Sequence, residues 1–141
     1  MNMLSGKAVS FASLVIGLSL CAAPVLAHHA FAAEFDDTKP VKVTGVVTKV
    51  EWMNPHIWFY VDEKNEDGTV HHWAFSGGAP GQLMRRGVTK DVIQVGTTVK
   101  VEGFRAKDGS DNANGNKVTF PDGRMVFTAG QEPDSKRDSK N

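Results

Sequence analysis

From Val41 to Trp52 the sequence VKVTGVVTKVEW nearly alternates apolar and polar positions and is rich in Val and Thr. That period-two pattern predicts a β-strand with one covered face, and Gly45 inside it predicts a bulge or a sharp bend. Asn54-Pro55 interrupts the pattern. A second strand follows over Ile57 to Val61, a polar turn over Lys64-Asn65-Glu66-Asp67-Gly68, and a third strand over Val70 to Ser76, so that the first three strands form a meander. Between Gly77 and Gly96 the character changes. Gly-Gly-Ala-Pro-Gly opens the stretch, Gln82 to Arg86 predicts one short helix, and Val92-Ile93 supplies apolar anchors, together a helical plug. Alternation returns over Thr97 to Ala106 as a fourth strand. After a polar loop from Asp108 to Asn116, KVTFPDGRMVF predicts a fifth strand that turns through Pro121-Asp122-Gly123 into a sixth.

Three strands, a short helix, then two or three strands, with a glycine bend in the first, predict a mainly β fold. The order is that of a small five- to six-stranded, OB-like (oligonucleotide/oligosaccharide-binding) Greek-key barrel with one short helix, spanning residues 41–129. A plain antiparallel sandwich is the alternative. Residues 28–40 form an N-terminal segment ahead of the barrel. Residues 130–141 are polar and charged and are expected to be a disordered tail.

The start of the chain has another layout. No acidic residue precedes Glu34, the one early cation is Lys7, Phe11 to Leu20 is apolar, and Pro24-Val25-Leu26-Ala27 ends the run with a small residue. This predicts a signal peptide over residues 1–27, cleaved after Ala27, and a periplasmic destination; the apolar run is shorter than the ~20 residues a membrane-spanning helix needs. No membrane anchor is expected after cleavage. A buried N-terminal helix is the competing reading. Cys21, the only cysteine, lies within that leader, and in the preceding Leu18-Ser19-Leu20 the bulky Leu20 stands where a lipoprotein signal needs a small residue, which argues against lipid attachment.

Cleavage would leave 114 residues with 15 Lys and Arg against 16 Asp and Glu. That balance gives no electrostatic reason to expect a nucleic-acid or anionic-membrane partner, and one domain with one core suits the length. Nor does the sequence carry an enzyme signature. Ser76-Gly77-Gly78 is not Gly-x-Ser-x-Gly, there is no His-Glu-x-x-His, and no glycine loop is built for phosphate. No catalytic residue is expected, and the carboxylates Asp62, Glu63, Glu66 and Asp67 read as a solvated hairpin turn.

Two groups of residues are candidates for binding. Period-two geometry in the second hairpin, with Phe59 placed opposite Trp73, turns Ile57, Phe59, Val61, His71, Trp73 and Phe75 inward and leaves His56, Trp58, Tyr60, His72 and Ser76 on the outer face. Trp58, Tyr60 and His72 are thus a candidate ligand platform, or simply sheet cover that docks on a partner protein. In that register His56 and His72 lie about 13 Å apart and cannot share an ion. The second group is the new N-terminus. Cleavage after Ala27 frees the α-amine of His28, whose pKa near 8 makes it an available ligand; with its own ring, His29 and a barrel histidine such as His56 it forms an all-nitrogen set of the kind copper(II) prefers. His28, His29 and His56 are therefore the candidate metal ligands and copper the candidate cofactor, the alternative being a frayed terminus without function.

The combination of His28-His29-Ala30-Phe31 with Phe35-Asp36, of Gly45 ahead of Trp52-Met53-Asn54-Pro55-His56, and of Val99-x-Val101-x-Gly103-x-x-Ala106-x-Asp108-Gly109-Ser110 is similar to a family of small exported bacterial proteins known only as a domain of unknown function. The resemblance runs from about His28 to Thr128. It implies export and a small β-barrel, and it supplies no catalytic residue. The chain is thus expected to be a periplasmic binding or accessory protein acting on an unidentified ligand or protein.

Overall fold

Alternation along the chain closes a ring. The computed structural model describes residues 32–129. Its elements are β1 (Phe35–Glu51), β2 (Trp58–Lys64), β3 (Val70–Ser76), the helix α1 (Pro80–Arg85), β4 (Thr98–Ala106), β5 (Asn112–Thr119) and β6 (Met125–Phe127). They lie in the order β3-β2-β1-β4-β5-β6. A parallel pairing of Ala74 to Ser76 with Asn112 to Asn114 joins β3 to β5, which closes five of the strands into a barrel and leaves β6 at the margin. This is the OB-like Greek-key arrangement anticipated from the strand order, with the helix between β3 and β4.

β1 begins at Phe35, six residues earlier than the Val-rich run suggested, because Phe35 pairs with Ala106 and Pro40 to Val46 pair with Phe104 to Thr98. Its second half turns to pair with β2. The bulge that accompanies the turn falls between Val47 and Lys49, not at Gly45. Gly45 has a different duty. A Cβ there would overlap the backbone carbonyl of Asp62 and lie 2.8 Å from Val61 Cγ1, so the strand passes β2 at a distance that only glycine allows.

The β2–β3 register also differs from expectation. Val61 faces Trp73 and Phe59 faces Phe75, an offset of two residues that preserves which side chains point inward. Phe59, Val61, Trp73 and Phe75 are buried with Val43, Val47, Val99, Val101 and Val118, and Leu83, Val88 and Ile93 of the β3–β4 connection join the same core. Stacked rings fill the middle: Phe75 lies 5.4 Å from Phe59 and 5.9 Å from Trp73, centroid to centroid. β5 starts at Asn112, inside the stretch expected to be a loop, and lays Ala113 and Gly115 against those rings. α1 starts at Pro80, whose missing N–H suits the first turn of a helix.

Candidate surface site on the β2–β3 hairpin

Because Phe59 and Val61 are buried, their neighbours Trp58, Tyr60 and Asp62 emerge on the outside of β2, opposite Ser76, Ala74 and His72 of β3. The three platform residues therefore share one face. Trp58 and Tyr60 are half-buried and the His72 side chain is 76% exposed.

Two of the polar side chains on this face, His72 and Tyr60, have carboxylate partners. His72 Nδ1 lies 2.7 Å from Asp62 Oδ1. An ionised carboxylate only accepts, so Nδ1 is the donor in this contact, the orientation that carboxylates impose on metal-binding imidazoles. One row away, the Tyr60 hydroxyl donates to Glu51 Oε2 at 2.8 Å. Lys49 Nζ sits 2.6 Å from Glu51 Oε1 and 5.2 Å from the Tyr60 ring centroid. Lys49, and after it Tyr60, donate to the Glu51 carboxylate and hold its pKa below the usual range, while donation to Glu51 raises that of Tyr60.

A second cluster forms on the inward-facing rows. Trp73 Nε1 donates to Glu63 Oε2 at 2.9 Å, and the Arg105 guanidinium lies 5.4 Å from the Trp73 ring centroid. Arg105 also donates to the carbonyls of Gly109 and Ser110 and to Asp111 Oδ1. His71 shares the parity of Trp73, yet it does not enter the core; half exposed, it places Nδ1 3.6 Å from Asp111 Oδ2. Asp62 and Glu63, expected in a solvated turn, are strand residues that hold His72 and Trp73. Their roles depend on which residues face one another across the hairpin, and the sequence pattern fixes parity but not register.

The metal candidates are dispersed. His28 and His29 lie outside the described residues. His56 is exposed in the connection from β1 to β2, where the Asn54-Pro55 peptide is cis. In the observed register it is six residues along the hairpin from the level of His72, about 20 Å at the usual strand rise, wider than the expected separation. It also follows the end of β1 remote from Phe35, the point where the barrel begins. Among the described residues no group of three or more His, Cys, Asp or Glu side chains is placed to hold a metal ion. None of the described helices is long and apolar enough to cross a membrane.

Fold and faces together define a small OB-like barrel with a filled interior and its chemistry on the outside. The chain belongs to the family of unknown function DUF6152, whose model matches residues 16–116. No curated protein matches it.

Proposed function

We propose that the protein is an exported binding or accessory protein of the periplasm that holds copper at the histidine-bearing end created by cleavage after Ala27. The observation that carries this reading is the placement of His28-His29 immediately after a leader-like stretch in which Lys7 is the sole charge. The α-amine and ring of His28, with the ring of His29, form a nitrogen chelate that needs nothing from the barrel. His56, at the far end of β1 from Phe35, is not required. The filled core adds a supporting argument. Phe59, Phe75 and Trp73 occupy the space in which a barrel ligand would sit, so binding falls to the surface and the ends of the chain.

Titration of exported, mass-verified protein with copper(II) tests the proposal, alongside the same protein acetylated at the α-amine of His28. The free-amine form should bind about tenfold or more tightly, since acetylation removes the α-amine from the chelate. Equal affinity for the two forms refutes the terminal chelate.

A second reading rests on the shared face of Trp58, Tyr60 and His72, which suits docking on a partner protein. It predicts that Trp58→Ala abolishes capture of that partner while copper affinity is unchanged.

A further inference from the structure

The strand registers define a second surface on the outside of β1, β4, β5 and β6. Lys42 pairs with Glu102, Glu102 with Lys117, and Lys117 with Phe127, so these four side chains form one row across four strands. Two residues along, Thr44, Lys100, Thr119 and Met125 form the next row. Both rows point outward, because Val43, Val99, Val101 and Val118 between them are buried. The face is cationic although the whole chain is neutral: three lysines surround one carboxylate, Lys117 pairs with Glu102 at 2.6 Å, and Lys42 and Lys100 remain in excess. At its margin, on the strand that ends the sheet, Phe127 is 57% and Met125 55% exposed.

We propose that this face docks on an anionic phospholipid surface, with Lys42, Lys100 and Lys117 against lipid phosphates and Met125 and Phe127 entering the headgroup layer. Charge complementarity selects an anionic occupant, and size selects a lipid surface over a protein. Four strands at about 4.8 Å and two rows about 7 Å apart cover only a few hundred Å², well below the roughly 800 Å² per partner of a stable protein interface. A bilayer needs no matching shape, and lysines beside exposed apolar side chains are the combination that interfacial proteins use. A single exposed apolar residue would be ordinary; here two lie in consecutive rows, each at the end of a row that contains lysine.

The test is co-sedimentation of the full chain with phosphatidylcholine vesicles of increasing phosphatidylglycerol content at low salt. Neutral vesicles set a baseline that absorbs any contribution from the apolar stretch Phe11 to Leu20. Binding above that baseline should rise with phosphatidylglycerol and fall with salt. Lys42→Gln with Lys100→Gln should weaken it about tenfold, whereas Lys64→Gln with Lys90→Gln, which removes the same charge elsewhere, should leave it intact. Met125→Ser with Phe127→Ser should also weaken it, with circular dichroism confirming that every variant is folded. The proposal is overturned by a phosphatidylglycerol response that is absent, or by equal loss in the two lysine pairs. Retention on an immobilised acidic polypeptide without any response to vesicles would overturn it in favour of a protein partner.

Discussion

Tyr60 is the only tyrosine of the 141 residues, so its phenolate absorbance reports one site without assignment. Donation to Glu51 favours the protonated phenol, and its ionisation should occur above the ordinary value of about 10. The two flanking charges act in opposite directions. Glu51→Gln removes the negative acceptor and should bring the midpoint back toward the ordinary range; Lys49→Gln removes a cation that favours the phenolate and should push it further up. Identical midpoints in the three proteins would mean that the Lys49–Glu51–Tyr60 group does not persist in solution. In sign, a raised folded-state pKa contributes stability that is present below the unfolded value and is lost as pH climbs through the folded one. The same residues show how much of the site the sequence revealed. That Trp58, Tyr60 and His72 share a face follows from period two alone, but Asp62 under His72 and Glu51 under Tyr60 follow only from the pairings across strands.

Among the elements, β5 was the least legible, and its neighbours explain why. The run from Asn112 to Asn116 offers no large apolar residue, and so it resembles a loop. The space inside β5 is already filled by rings from the hairpin: a Cβ on Gly115 would lie 2.8 Å from Phe59 Cζ and 3.2 Å from Phe75 Cβ. The strand's inward pattern is small because the opposing pattern is large. Gly115→Ala should therefore destabilise the barrel by about 1–3 kcal/mol through overpacking, measurable by urea unfolding; an unchanged midpoint would show that the two rings yield freely. β1, β2 and β3, which bring their own Val and aromatic residues, could be read directly. The β4–β5 turn makes a related point. Arg105 ties that turn to Trp73 and Asp111 through its ring contact and three acceptors. Arg105→Ala should cost about 1–2 kcal/mol and speed amide exchange in residues 107–111 relative to the β2–β3 turn. Exchange that remained slow would assign the hold on the turn to its backbone pairing with β3, where the Ala74 amide donates to the Asp111 carbonyl.

Across the whole molecule, the connections and the sheet surface share one electrostatic device, and it sets the response to acid. Asp36, Asp67 and Asp108 each accept the hydroxyl and the backbone N–H of the Thr or Ser two residues on, and each has its pKa held below the usual carboxylate value by those donors. Glu51 and Glu102 are held low chiefly by the lysines bonded to them. A carboxylate with a depressed folded-state pKa binds fewer protons folded than unfolded, so its contribution is present above the unfolded value and is lost as pH falls through the folded one. Stability should accordingly be level near neutrality and should fall once the pH drops below about 4. The five groups are spread over the start of β1, the β2–β3 and β4–β5 turns, the end of β1 and the middle of β4, so no one of them accounts for the whole acid limb. Asp67→Asn with Asp108→Asn keeps an acceptor oxygen in each turn and removes its titration. That variant should be less stable than the parent near neutral pH, lose less stability on acidification, and converge with the parent at acid pH. Salt should blunt the lysine-paired part and leave the part from the turns unaffected, because hydroxyl and amide donors are not screened as ion pairs are. Chemical denaturation across the acid range distinguishes these outcomes. An acid limb equally steep in parent and variant would show that the turn carboxylates titrate alike in the folded and unfolded chain, and would remove them from the account of acid stability.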